Sequence, residues 1–209
     1  LAPTKDFLER FGLKIASILM LIIATYRLTD IVMGPMANPF YIDMGYSLSE
    51  IGYVVKIVAL VATIIGVFIG GIFVKRLGLY KSLLIGAFLV MFTNLSFSYA
   101  SINEKNLVLL ASIVASDSLA AGIVGTVNIT FLTSLVSSKY TGFQYALLTS
   151  LMAFLGKLFG GFSGVFVESF QNLYGFSYGW MSFYIFTSCL AIPSMLMIYF
   201  NKSIFMQTN

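Results

Sequence analysis

Gly71-Ile-Phe-Val-Lys75-Arg76-Leu-Gly78-Leu-Tyr80-Lys81 is the stretch whose reading decides the fold. Three cations lie between or beside two glycines, and apolar runs extend on either side over 50–74 and 79–100. A membrane-spanning helix needs about 20 mostly apolar residues, and each run supplies them. The stretch therefore predicts two spans joined by a tight basic turn. Gly71 and Gly78 allow the close approach, and the cations hold the turn at a membrane surface.

The same pattern repeats along the chain. Further spans are expected at 13–42, 107–136, 143–166 and 180–200. That makes an all-α membrane protein with six transmembrane helices and a single domain over 1–209. The connections are short and polar, with Ser47 or Ser49 as a candidate N-cap after 43–47. Backbone in hydrocarbon must satisfy its own hydrogen bonds, so the spans are helical. They lack the period-2 alternation of a membrane barrel.

Composition agrees. Of 209 residues, 59% are hydrophobic and 10% charged, against about 25% charged in soluble domains. Mean hydropathy is +0.95. Histidine is absent and cysteine occurs once, at Cys189. That removes a disulfide framework, a zinc site and Cys/His catalysis, so neither an enzyme nor a cofactor is expected. Cys189, in an apolar run, reads as a small core residue. The leading leucine reads as the continuation of a longer chain.

The net charge of +4 is a topology signal. Lys5, Arg10, Lys14, Lys75, Arg76, Lys81, Lys139 and Lys202 fall on one side of the predicted membrane, and Lys105 alone on the other. Positive charge favours the cytoplasmic side, so both termini are expected there. No nucleic-acid partner is implied.

Arg27, Asp30, Lys56, Asp117 and Lys157 fall inside spans. Each costs roughly 3 kcal/mol to insert, and such residues turn toward a bundle interior or a wet cavity. Arg27, Asp30, Gly34 and Asn38 share one sector of the first span. Lys56 shares a face with Gly52, Ala59 and Thr63, and Lys157 one with Ser150, Ala153, Gly160, Gly161 and Gly164. Asp117 and Asn128 stand about three turns apart. Four polar stripes are thus expected to meet at mid-depth as a substrate cavity. Mutual neutralisation, Arg27 with Asp30 and Asp117 with Lys157, is the simpler alternative. Three cations against two carboxylates leave one positive charge spare, which suits an anionic substrate. If transport is proton-coupled, Asp30 or Asp117 is the expected carrier.

Gly34-Pro35, Asn38-Pro39 and Pro193 are expected to kink their spans. The glycines at 66, 70, 71, 160, 161 and 164 are expected to form packing faces. Tyr41, Tyr46, Tyr174, Tyr178 and Trp180 read as interfacial aromatics.

The loop quoted first resembles the cytoplasmic signature of the major facilitator superfamily, with Lys75 in place of its acid and Tyr80 in place of one base. A closer resemblance is to the C-terminal half of the AmpG muropeptide permease family. Tyr26-Arg-Leu-Thr-Asp30 is similar to that family's Tyr-Lys-Leu-Gly-Asp segment. Ser49-Glu50-Ile-Gly52, Lys56, Ala62-Thr63-Ile-Ile-Gly66, Gly70-Gly71 and Arg76-Leu77 resemble its eighth helix nearly in register. Gln144-Tyr145-Ala-Leu-Leu, Tyr174-Gly175, Trp180 and Phe183-Tyr184-Ile-Phe186-Thr187 match further segments in order.

The resemblance implies a proton-driven importer of N-acetylglucosaminyl-anhydro-N-acetylmuramic acid and its peptides, in the bacterial inner membrane, serving cell-wall recycling. It carries over Arg27, Asp30, Lys56 and Gln144, with Asp117 and Lys157 less directly, as the substrate or proton pathway. Gly71, Lys75, Arg76, Gly78 and Lys81 correspond to the loop signature. The implied partners are the bilayer, an anionic sugar-peptide, protons and an N-terminal six-helix half, because the superfamily places substrate between two halves. Transport of acetyl-coenzyme A or another organic anion, an intramembrane enzyme with a Ser-Lys or Asp-Asp site, and a non-transporting receptor or remnant are the alternatives.

Overall fold

The computed structural model describes residues 2–206. The elements are α1 (Ala2–Tyr26), α2 (Leu28–Asp43), α3 (Leu48–Tyr53), a π-helical stretch (Val54–Val58), α4 (Ala59–Ala100), α5 (Leu107–Leu135), α6 (Thr141–Gly160), α7 (Ser163–Tyr174), α8 (Phe176–Cys189), α9 (Ala191–Phe200) and α10 (Lys202–Met206). Among the described residues, five continuous helical segments are long and apolar enough to cross a membrane: Ala2–Asp43, Leu48–Ala100, Leu107–Leu135, Thr141–Tyr174 and Phe176–Phe200.

The segment Leu48–Ala100 has 53 residues. At 1.5 Å per residue it would extend about 80 Å if straight, far beyond a bilayer core of about 30 Å. It is not straight. Gly78, at φ 79° and ψ 164°, breaks it, in a conformation that L side chains rarely adopt. On the first arm, Gly66 lies against Leu119 and Gly122, and Gly70 against Ile123 and Thr126. On the second, Gly86 meets Val124 and Thr93 meets Asp117. The first arm therefore runs parallel to α5 and the second antiparallel. Gly78 alone makes this turn. Gly71 has helical neighbours and open space around it, so the turn-forming role expected of Gly71 is corrected.

Contacts between distant segments divide the molecule into two ends. At one end Arg10 reaches the Leu135 carbonyl, and Phe205 packs on Tyr80 and Phe131. At the other, the Trp180 indole N–H donates to Asp43, and Lys105 pairs with Glu50 at 2.8 Å. There the Tyr46 hydroxyl donates to the Asn106 carbonyl and accepts from the Asn106 N–H. Ser47 caps α3 in a reciprocal box with Glu50, which starts the helix with two terminal N–H groups satisfied.

Each end has its own apolar core. Leu19, Ile22, Ile23, Leu83, Ile123, Phe131 and Ile198 belong to the first. Phe40, Tyr41, Phe97, Ile113, Trp180, Phe183 and Tyr184 belong to the second. Tyr41, Tyr46 and Trp180 are thus buried, because each finds ring or hydrogen-bond partners inside. This corrects their reading as interfacial aromatics, whereas Tyr174 and Tyr178 are exposed. Cys189 is also exposed, not a core residue.

Of the two expected proline kinks, the one in the first span moves. α2 carries Pro35 and Pro39 within it, and the helix is interrupted instead at Arg27 (φ −105°, ψ 9°). The sixth span is interrupted at Leu190, in the turn ahead of Pro193, which has no N–H for the Cys189 carbonyl.

Candidate functional site

The two apolar cores leave a layer between them. On the first transmembrane segment the cores end at Tyr26 and resume at Met33, on α4 at Val90 and Phe97, and on α5 at Ala120 and Val114. The residues in between include Arg27, Asp30, Thr93, Asn94 and Asp117. Polar side chains from three helices therefore meet at one level, sandwiched by apolar packing.

The contacts in this layer are few. Arg27 Nη2 lies 3.4 Å from Asp30 Oδ2. The Thr93 hydroxyl donates to Asp117 Oδ1 at 3.2 Å. Asp30 stands close enough to Asp117 for their charges to interact. Tyr41 and Tyr184 are within electrostatic reach of Asp117. The Arg27 Nε, the Thr29 hydroxyl, both amide atoms of Asn94 and the Tyr184 hydroxyl are buried without a hydrogen-bond partner among the described residues. An unserved buried polar group costs about 1–3 kcal/mol, and Arg27, Thr29 and Asn94 bring several such atoms to the level between the cores.

The chain supplies local reasons for this arrangement. The α1–α2 break sets Arg27 in the N-cap position of α2, one turn from Asp30. Pro35 has no N–H, so the Ile31 carbonyl loses its partner one turn ahead. Gly160 packs against that carbonyl, Gly156 against the Ile31 side chain, and the Ser163 hydroxyl donates to the Val32 carbonyl at 2.6 Å. The second interruption, at Gly161 and Phe162 between α6 and α7, thus sits beside the loosened start of α2.

The other expected site residues stand apart from these contacts. Lys56 lies in the π-helical stretch, exposed, flanked by Val54 and Val58 of the far core. It is above the layer, so the expected surplus of charge at one depth does not form. Lys157 is exposed on α6, at the level between Leu148 and Val167 of the two cores. It makes no ion pair with Asp117. Lys56 and Lys157 have no acid partner among the described residues. Asn128 is buried in the first core's level, its amide 3.4 Å from Met152 Sδ.

Gln144 is a structural clamp. Its carbonyl oxygen accepts from Arg10 and from the Ser137 N–H, and its amide donates to the Pro3 carbonyl and to Asp6. All four hydrogen bonds the amide can readily make are used within the chain. Lys75, Arg76 and Lys81 are exposed around the Gly78 turn.

Thr93 and Asn94 are the layer residues that sequence reasoning missed, together with Tyr184 of the far core, which lies within electrostatic reach of Asp117. Thr93-Asn94, an adjacent polar pair inside the apolar run 79–100, was the available signal. Nothing comparable announced Tyr184, whose hydroxyl looks like any aromatic at a span end.

Comparison with known proteins addresses the family. No protein-family model matches the chain. The putative transporter AmpG 4 of Rickettsia felis is 30% identical over 203 residues, covering 97% of this chain and 46% of that protein. The putative transporter AmpG 1 of Rickettsia prowazekii is 32% identical over 181 residues, 87% of this chain and 39% of that protein. The anhydromuropeptide permease of Escherichia coli K12 is 32% identical over 199 residues, 94% and 38% respectively. The chain is AmpG-like along almost its whole length. It spans less than half the length of the curated relatives it matches. As an AmpG-like chain it resembles proteins named as transporters and permeases, not enzymes. Its apolar helices are those of a multi-pass membrane protein.

Proposed function

We propose that the chain is the C-terminal half of a proton-driven importer of anhydro-muropeptides in the bacterial inner membrane, with substrate held between it and an N-terminal six-helix half. The observation that carries the reading is the polar layer between the two apolar cores, with Arg27–Asp30 and Thr93–Asp117 at its centre. Carboxylates at membrane depth mark proton or substrate pathways. Exposed, unpaired Lys56 and Lys157 suit a substrate with carboxylates of its own, and the relatives' names supply the substrate class.

The path of the chain supports six passes. It reaches one end near residues 10, 80, 135 and 205, and the other near 43, 105 and 180. The end that carries Lys5, Lys75, Arg76, Lys81, Lys139 and Lys202 is then cytoplasmic, along with both termini. A major facilitator fold accommodates this path, with the Gly78 turn as its signature loop.

Uptake of radiolabelled anhydro-muropeptide tests the reading in cells lacking their own permease. The chain is expressed alone and together with the N-terminal half of the Escherichia coli permease. Uptake that needs both halves and collapses with the proton gradient is expected. No uptake by either arrangement, with the protein verified in the membrane, overturns it.

A further inference from the structure

A groove of about 480 Å³ lies on the side of the bundle between the second arm of α4 and α9, lined by Leu84, Ile85, Phe88, Met195, Leu196 and Tyr199. It covers about one turn, about 6 Å, of each helix. Lys81 precedes Leu84 by three residues, and Lys202 follows Tyr199 by three. Both lysines therefore stand about one turn from the same end of the groove. α10 fixes the second: Phe205 packs on Tyr80 at 6.1 Å, and the Lys202 ammonium lies 5.7 Å from the Tyr80 ring centre. Lys75 and Arg76 are exposed at the adjoining Gly78 turn. None of these four cations has an acid partner among the described residues.

An apolar slot that starts at unpaired cations and runs into the membrane asks for one kind of molecule. A free anion would leave the slot unused, and an apolar partner helix would leave the cations unanswered. We propose that this groove seats an anionic phospholipid, with its phosphodiester on Lys81 and Lys202 and the first part of one acyl chain along Leu84, Phe88 and Leu196. Zwitterionic lipids offer the same chain but carry a compensating ammonium, so the lysines alone select the anionic class.

Native mass spectrometry of the purified chain tests this with phosphatidylglycerol and phosphatidylcholine of identical acyl chains. Two lysines at about fivefold each predict a retention ratio of about twenty-five-fold in favour of phosphatidylglycerol. The double substitution K81Q/K202Q should bring the ratio near one. L196W, which fills the groove, should lower retention of both lipids, with helicity verified by circular dichroism. K139Q, on another loop at the same end, should leave the ratio unchanged. A wild-type ratio near one overturns the proposal. So does a ratio unmoved by K81Q/K202Q, or one that falls equally in K139Q, which would indicate diffuse surface charge.

Discussion

The Thr93 hydroxyl donates to Asp117 Oδ1 at 3.2 Å, tying the second arm of α4 to α5 between the two apolar cores. Thr93 also bonds the Val90 carbonyl of its own helix at 3.1 Å. One hydroxyl proton cannot serve both acceptors at once, so the carboxylate competes with the backbone for it. Asp117 is thus held by a partner that can let go.

Replacing Thr93 by valine keeps the shape and removes that donor. Asp117 then lacks the Thr93 hydrogen bond, and stability should fall by about 2 kcal/mol. Thermal unfolding in detergent measures this. Thr93→Ser should be much milder, and an equal loss in both would mean that methyl packing, not the hydroxyl, matters.

Gln144 predicts a different profile. Gln144→Leu leaves the Ser137 N–H and the Pro3 carbonyl without their partner and frees the N-terminal segment from α6. The expected loss is about 3 kcal/mol, together with rapid proteolysis near residues 2–11. Any transport remaining at low temperature should keep its apparent affinity, because the amide is fully engaged elsewhere. A large affinity change at normal stability would return Gln144 to the substrate pathway.

The exposed cations should separate from the paired one. Lys56→Gln and Lys157→Gln should each shift stability by no more than about 0.5 kcal/mol, while each lowers apparent affinity for an anionic substrate about tenfold. Arg27→Gln leaves Asp30 without its cation and should destabilise by on the order of 2–3 kcal/mol. Parallel melts and uptake curves distinguish the two patterns.

Neighbouring glycines should behave oppositely. A Cβ at Gly70 would stand 2.9 Å from the Ile123 carbonyl oxygen, whereas one at Gly71 meets nothing within 4 Å. Gly70→Ala should cost about 1–3 kcal/mol by forcing α4 from α5. Gly71→Ala should be neutral or stabilise by up to about 1 kcal/mol through helix propensity.

Much of the framework was legible in the residues alone. Apolar runs of membrane length and the cations around Gly78 needed no tertiary information, because a bilayer acts on each segment by length, hydropathy and flanking charge. The AmpG resemblance was legible for a related reason, since it rests on the order of short segments. Arg27–Asp30 was readable too, because helical spacing brings residues three apart onto one face. Which polar side chains share a depth was another matter. Lys56 and Asp117 looked equivalent as charges inside spans, yet the π-helical stretch and the parallel packing of α4 on α5 put Lys56 beside one core and Asp117 between both. Gln144 looked like a site residue until Pro3, Asp6, Arg10 and Ser137 closed around it, and Thr93 acquired its partner only through the return of α4 at Gly78. Hydropathy is a property of one segment, and the sequence by itself determines it. Register between helices comes from close contacts such as Gly66 on Leu119 and Gly160 on Ile31, and only the tertiary structure brings those together.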